Sequence, residues 1–99
     1  RKNLMATATQ KYIIRCDRAG VFYAEIEERR GDEAELVNAR RVHSWQGAAS
    51  CSQMALDGVG SGSNVSMTVP SMTVLGVIEV IPCSDRAVQV FDALKEWKV

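Results

Sequence analysis

Residues 11–27, which read KYIIRCDRAGVFYAEIE, decide the fold. Polar and apolar side chains alternate along residues 11–16 and again along residues 21–27, a pattern typical of half-buried β-strands. Residues 17–20 lie between the two runs and form a turn signal, in which Gly20 can adopt a positive φ. The stretch therefore predicts a β-hairpin.

The meander continues beyond this hairpin. Residues 30–32 contain the next turn signal, and residues 34–43 predict a third strand. Strands that follow one another through short turns favour an antiparallel meander.

The second half of the chain alternates helical and strand patterns. Residues 48–56 predict a short helix that ends at Gly58, and residues 58–64 predict a flexible Gly/Ser loop. Residues 65–69 and 72–81 are β-branched runs and predict two more strands.

The last predicted element is a helix that begins after Ser84, a residue type that favours N-caps. Its apolar stripe predicts core residues at helical spacing, namely Ala87, Val88, Phe91, Leu94 and Trp97. The chain thus predicts one α+β domain over residues 11–99: an antiparallel sheet, made of a three-stranded meander plus two C-terminal strands, with two helices packed on one face. Residues 1–10 are expected to be a disordered or non-native N-terminus.

Charge is balanced in total and uneven along the chain. The 99 residues hold 12 Lys+Arg and 12 Asp+Glu, so the formal net charge is zero. A general binder of nucleic acid polymers usually carries a positive surplus, so that class is disfavoured. Residues 46–84 contain no Lys or Arg and only two acids, which predicts a stretch covered by the core or by other copies of the chain.

Neither a membrane span nor a metal site is indicated. No apolar run approaches the roughly 20 residues that a spanning helix needs. The cysteines at 16, 51 and 83 are widely spaced, and only His43 could join them as a zinc ligand. We expect buried free thiols in a cytoplasmic protein, with no metal and no cofactor.

Catalysis is disfavoured because few suitable groups are present. The chain has one histidine, and no cysteine lies in a glycine-flanked or strongly basic setting that would activate it. The loop at residues 58–64 lacks the Lys-Ser/Thr ending of a phosphate-binding P-loop. We therefore expect a non-enzymatic protein.

Polar and aromatic groups that suit a small anion are concentrated in residues 38–50. Arginine binds phosphate through paired hydrogen bonds, aromatic rings stack on bases, and helix N-terminal amides attract anions. The candidates in and beside this segment are Asn38, Arg40, Arg41, His43, Trp45, Ser50 and Gln53. An alternative stays open, in which this is a strand edge whose arginines pair with Glu25, Glu27 or Glu28 while Trp45 fills the core. Strand alternation also places Arg41 and His43 on the face opposite Arg40 and Val42.

Three further candidates lie outside that segment. Arg18 is at the first hairpin tip, Phe22 could stack on a base, and Asn64 ends the Gly/Ser loop, which could close over a ligand. Each also has a structural interpretation, as a solvated turn charge, a strand residue and a linker residue respectively.

Four motifs along most of the chain resemble a known family. They are residues 17–23 (DRAGVFY), 38–41 (NARR), 45–58 (WxGAASxSQxAxDG) and 77–83 (VIEVIPC). The chain resembles the phage anti-Thoeris sponge family, whose members sequester cyclic ADP-ribose-type signals and in some cases cyclic oligonucleotides. The resemblance implies a non-enzymatic oligomeric trap in the cytoplasm of an infected bacterium, with ligands held at subunit interfaces.

The chain departs from that family at two places. His43 and Ser44 precede Trp45 where the family commonly has further aromatic residues, and residues 58–64 are rich in Gly and Ser where relatives carry Lys-Pro. If the resemblance holds, we expect these differences to alter ligand preference or to remove binding. The hypothesis is thus a homo-oligomer that sequesters a cyclic nucleotide; the alternative is a phage structural or protein-interaction module that forms an obligate homo-oligomer.

Overall fold

A computed structural model describes residues 9–99. Residues 9–99 form a six-stranded sheet and two helices, and all of the strand pairs among them are antiparallel. This confirms the predicted α+β class. The expectation for the N-terminus falls on residues 1–10, of which residues 1–8 lie outside the described part of the chain.

The strands and helices follow one another closely along the sequence. In chain order they are β1 (Tyr12–Cys16), β2 (Val21–Arg30), β3 (Glu33–Ser44), α1 (Cys51–Asp57), β4 (Asn64–Val65), β5 (Val69–Val74), β6 (Val77–Pro82) and α2 (Asp85–Ala93).

The sheet curls until its two edges come close together. Its order is β4-β3-β2-β1-β6, and β5 pairs with β3 beside β4. Thus β5 and β6 lie on opposite edges, and yet only Leu75 and Gly76 connect them. A link this short requires the sheet to roll round on itself.

Hydrogen bonds at the link between β5 and β6 show how tight the roll is. The Gly76 carbonyl accepts from the Asp17 amide at 2.7 Å, and the Val77 amide donates to the Asp32 carbonyl at 2.9 Å. The same peptide unit therefore touches the turn before β2 and the turn after it. A straight ten-residue strand would be about 33 Å long, so β2 must bend, and its pairing with β3 is interrupted by register shifts between Tyr23 and Glu25 and between Ile26 and Glu28.

Both faces of the sheet are buried at the middle of β1 and in the first half of β2, because the roll covers one face and the helices cover the other. Ile13 and Tyr23 pack with Phe91 of α2 in one cluster, and the ring centroids of Tyr23 and Phe91 are 4.5 Å apart. Ile14 and Phe22 pack inside the roll in a second cluster. The predicted placement of both helices on one face is consistent with this arrangement.

Serine caps begin both helices, as the sequence predicts for α2. The Ser84 side chain accepts from the Ala87 amide at 3.1 Å, and the Ser50 side chain caps α1. The first helix begins at Cys51 rather than at residue 48, and it ends at Gly58, whose φ is 78°.

Two sequence predictions in the C-terminal half are wrong. Residues 72–81 do not form one strand, because Gly76 adopts a φ of 74° and turns the chain from β5 to β6. Residues 65–69 do not form one strand either, since Val65 ends β4 and Val69 begins β5. Both short strands pair with β3, which is long enough to hold them end to end.

Trp97 is a third correction. The last helix ends at Ala93, so Trp97 lies in the following tail and its side chain is 46% exposed. Phe91, in contrast, is fully buried as predicted.

Candidate ligand-binding site

Adjacent arginines on β3 point to opposite sides of the sheet, because successive side chains of a strand alternate between its faces. Arg40 is 5% exposed and its guanidinium donates to backbone carbonyls of Ser66 at 2.6 Å and Phe91 at 2.5 Å. It also donates to the carbonyls of Val65 and Leu94, at 3.3 and 3.1 Å. Arg40 therefore joins β3 to β4, to the residue after β4 and to the end of α2.

The buried position of Arg40 has an electrostatic cost that these carbonyls offset. Burial lowers the pKa of the guanidinium, while the carboxylates of Glu96 and Asp92 raise it. Because its donors are directed to carbonyls inside the fold, Arg40 is not available to a phosphate. This corrects the sequence-based expectation that Arg40 contacts a ligand.

Arg41 is on the opposite face and is exposed. Its guanidinium carbon lies 4.7 Å from the centroid of the Phe22 ring, and Nη1 donates to the Ala19 carbonyl. The side chain is thus held in one orientation by a ring and a carbonyl, while its other N–H groups remain for a ligand.

Arg41 borders a groove of about 670 Å³, which we call the arginine groove. Its other walls are the β1–β2 turn at residues 17–19, which includes Arg18, and residues 72–76 of β5 and its link to β6. Met72 and Leu75 make part of the wall apolar, and Leu75 is 64% exposed. The structure thus brings together two of the predicted residues, Arg18 and Arg41.

Both arginines of this groove are free of carboxylate partners within residues 9–99. Salt bridges join Arg15 to Glu79 at 3.0 Å and Arg30 to Glu33 at 2.9 Å, and no such pair forms at Arg18 or Arg41 with any acid of the described part of the chain. Asp17 is the acid that lines the groove. The alternative interpretation, in which the β3 arginines pair with Glu25, Glu27 or Glu28, does not describe them.

A second groove lies beside the far end of β3, and we call it the tryptophan groove. It has a volume of about 410 Å³ and lies between residues 61–64 and residues 94–98. Trp97 and Asn64 line it, and His43 stacks on Trp97 with ring centroids 4.8 Å apart. Two more of the predicted residues, His43 and Asn64, thus belong to this surface.

Ser50 and Gln53 act at the start of α1. The Ser50 hydroxyl accepts from the Gln53 amide at 3.2 Å, and the Gln53 side chain accepts from the Ala49 amide at 2.8 Å. The first bond satisfies an amide that the first helical turn leaves unpaired, and the second ties the residue before the cap to the helix. Trp45 packs partly buried against the helix-side core and donates from Nε1 to the Ala48 carbonyl at 3.2 Å. None of the three lines either groove.

Phe22 and Asn38 also have structural positions. Phe22 is fully buried, so it does not stack on a base as expected; it supports Arg41 from beneath. Asn38 has a φ of 52° where β3 bulges against β2, and its side chain donates to Glu25 at 3.2 Å. Asparagine tolerates this left-handed conformation better than most residues.

Burial weakens the three thiols as nucleophiles. It raises the pKa of Cys16 and Cys51, and it raises the pKa of Cys83 to about 12. A thiol with a raised pKa is almost entirely protonated near neutral pH, and the protonated thiol is a poor nucleophile. Within residues 9–99 no group of three His, Cys, Asp or Glu side chains could hold a metal ion.

Met72, Leu75 and Trp97 are groove residues that were not predicted from the sequence. Gly76 was the available signal for the first two, since a glycine inside a strand pattern can indicate a turn that exposes its neighbours. For Trp97 no local signal existed, because its helical spacing continued beyond the end of α2.

Comparisons with known proteins identify one family. A family model described as "Domain of unknown function (DUF6948)" matches residues 9–91, which is most of the chain. No curated protein and no solved structure matches the sequence of this chain. In the described residues, neither helix has the length and apolar character required to cross a membrane.

Proposed function

We propose that this chain, which belongs to the DUF6948 family, binds a small anionic nucleotide in the arginine groove and releases it unchanged. The observation that carries the proposal is that Arg18 and Arg41 line an apolar-walled groove without carboxylate partners among the described residues. A groove of about 670 Å³ lies within the range of small-molecule sites.

Each wall of the groove matches one part of a nucleotide. Guanidinium groups bind phosphate oxygens through paired, charge-assisted hydrogen bonds. The apolar surface of Met72 and Leu75 suits a flat base, and a methionine sulfur makes favourable contacts with aromatic rings. Arg41 is already fixed on Phe22, so binding orders fewer groups and costs less entropy.

The proposed role is sequestration. A protein that outnumbers a signalling receptor and binds the signal tightly lowers its free concentration without turnover. The ligand class is a cyclic nucleotide of cyclic ADP-ribose or cyclic oligonucleotide type, made in a bacterium during phage infection, and the protein acts as a homo-oligomer in the cytoplasm.

Ligand retention tests the proposal. The protein is incubated with a panel of cyclic AMP, cyclic ADP-ribose and cyclic di-AMP, washed, heated and analysed by chromatography. We expect one of these nucleotides to be recovered intact. A chemically altered nucleotide would indicate catalysis, and retention of none would refute the proposal.

A matched set of variants locates the site. Arg41→Met and Arg18→Met should each weaken binding at least tenfold, since each removes a charged partner of phosphate. Arg86→Met is the control, because it makes the same change of charge and size at a residue of α2 outside the groove. If Arg41→Met and Arg86→Met retained equal amounts of nucleotide, the assignment of the site to the arginine groove would be contradicted.

A second function is favoured by exposed apolar residues beside the β5–β6 link. Leu75 and Ile78 are 64% and 52% exposed, and apolar side chains this exposed are common in protein interfaces. In this alternative the chain is a phage structural or interaction module. Light scattering after size exclusion tests it: a homo-oligomer that Ile78→Lys dissociates, together with no nucleotide retention, would favour the module.

A further inference from the structure

The tail that follows α2 is bonded to β4 at one edge of the sheet. The Trp97 amide donates to the Val65 carbonyl at 2.9 Å, and the Arg40 guanidinium donates to the Leu94 carbonyl at 3.1 Å. The Arg40 side chain is on the face of the sheet opposite Arg41, and the residues of the tail do not line the arginine groove. Trp97 is therefore held in place independently of that groove.

The indole of Trp97 is supported on one face and accessible elsewhere. The His43 ring stacks on it, with centroids 4.8 Å apart and an interplanar angle of 15°. Trp97 lines the tryptophan groove and is 46% exposed, whereas His43 does not line the groove. An aromatic side chain that is already fixed loses little conformational entropy when a second ring stacks on it. The groove thus contains a preformed surface for a flat ring.

Basic side chains lie beside the indole. Lys95 and Lys98 both line the tryptophan groove. Lys98 pairs with Glu96 at 3.7 Å, but both side chains are exposed, so the pair is weak. Lys95 is exposed and forms no salt bridge with the acids of residues 9–99. An ammonium group is a compact charge that binds phosphate, so this part of the groove suits an anionic group attached to the stacked ring.

The opposite wall of the groove is polar. It is made by residues 61–64, which read SGSN. The Ser63 hydroxyl accepts from the Gln46 amide at 3.0 Å, so its own hydrogen remains for a ligand acceptor. The Asn64 amide group has both donors and an acceptor, which suit the edge of a base or the hydroxyls of a ribose. The volume of about 410 Å³ is within the range of small-molecule sites.

We propose that the tryptophan groove is a second and separate binding site that takes a 5′-mononucleotide. The base stacks on Trp97, and Lys95 holds the phosphate. This site does not depend on the function proposed for the arginine groove, because the two grooves share no lining residue.

Fluorescence of a single indole tests the site. The chain has two tryptophans, and Trp45→Phe leaves Trp97 as the only indole. Adenosine 5′-monophosphate should quench its emission saturably, adenosine should do so at higher concentration, and inorganic phosphate alone should not. In this protein Lys95→Met should weaken binding of the monophosphate about threefold and leave adenosine unchanged, since only the phosphate loses a partner. Arg86→Met is the matched control, because it removes a positive charge of α2 outside the groove, and it should change neither affinity.

Calorimetry gives a second measurement in a protein that keeps Trp45. Arg41→Met serves as the starting protein, because it removes a phosphate contact of the arginine groove. Adding Trp97→Ala should lower the affinity for adenosine 5′-monophosphate by about fivefold or more, since stacking of the base is lost. Trp97→Phe keeps a ring and should retain part of the affinity, which separates loss of stacking from a disturbed tail.

The outcomes separate this site from the arginine groove. Absence of saturable quenching, equal quenching by inorganic phosphate, or loss of quenching in Arg41→Met would overturn the second site. An unchanged affinity for the monophosphate in Lys95→Met would overturn the phosphate contact. If the monophosphate binds at Trp97 while no cyclic nucleotide is retained through Arg41, the proposed function fails and the second site stands.

Discussion

Replacing Arg40 by methionine tests whether a buried guanidinium holds α2 and its tail against the sheet. Methionine has a similar length and no donors, so the substitution keeps most of the packing and removes every hydrogen bond of the side chain. The carbonyls of Ser66 and Phe91 lose hydrogen bonds from the guanidinium of 2.6 and 2.5 Å. The Leu94 carbonyl loses a third such hydrogen bond, of 3.1 Å.

The size of the effect follows from these bonds. Hydrogen bonds to a charged group contribute about 1.5–3 kcal/mol each, so the two shortest amount to about 3–6 kcal/mol. Release of the buried charge offsets part of this, since burial disfavours the charged guanidinium and lowers its pKa. We expect the free energy of unfolding to fall by about 2–4 kcal/mol, or the Tm by roughly 10–25 °C for a domain of this size.

Arg41→Met is the matched control, because it makes the same change one residue away at an exposed position. Arg41→Met loses an exposed contact with the Phe22 ring and one exposed hydrogen bond to the Ala19 carbonyl, so it should cost about 1 kcal/mol or less. Urea denaturation followed by circular dichroism measures both variants. Arg40 would not be a structural residue if Arg40→Met lowered the free energy of unfolding by less than about 1 kcal/mol. A larger loss for Arg41→Met than for Arg40→Met would likewise refute the assignment of Arg40 to the fold and of Arg41 to the groove.

Three other substitutions test particular parts of the fold. Asn38→Ala should lower the free energy of unfolding, measured in urea, by about 1 kcal/mol because the backbone φ at this position is 52°. Asn38→Gly should be nearly neutral, since glycine adopts positive φ freely. Equal losses for the two variants would contradict a backbone role. Gly58→Ala should lower the free energy of unfolding by about 2–4 kcal/mol, because the new Cβ would lie 2.6 Å from Val90. Gly31→Ala is the control and should cost about 1 kcal/mol, because no atom lies within 4 Å of its new Cβ. A larger loss for Gly31→Ala than for Gly58→Ala would refute the clash. Burial raises the pKa of Cys83 from 9.0 to about 12, so its stabilising effect is complete below pH 9 and is lost as the pH rises towards 12. Cys83→Ala should therefore show a shallower alkaline decline of the urea midpoint than the wild type, and an unchanged decline would count against this thiol.

The meander was predictable because each of its strands has a local signal. Alternation in residues 11–27 and the turn at Gly20 led to β1 and β2 with nearly their observed bounds. The curl of the sheet was not predictable, since it depends on which strands occupy the two edges. That choice is made by contacts between residues far apart in sequence, such as Arg15 with Glu79.

The candidate site shows a different limit. Residues 38–50 are a cluster along the chain, but strand alternation sends Arg40 inward and Arg41 outward. Alternation alone leaves both arginines as candidates, because it does not reveal which face of the sheet the helices cover. Burial of Val42 on the Arg40 face decides the question.

The pairing of β1 with β6 has a consequence for how the protein folds. In this ladder Arg15 pairs with Glu79, which lies 64 positions later in the sequence, whereas β1–β2 and β2–β3 join strands that follow each other along the chain. The chain loses conformational entropy when a long loop closes, before the stabilising contacts form. Pairing between distant residues therefore slows folding. During synthesis the meander emerges from the ribosome first, and one edge of β1 stays unpaired until Val77–Pro82 has been made. The exposed edge of that intermediate is where we expect chaperones to bind and aggregation to begin.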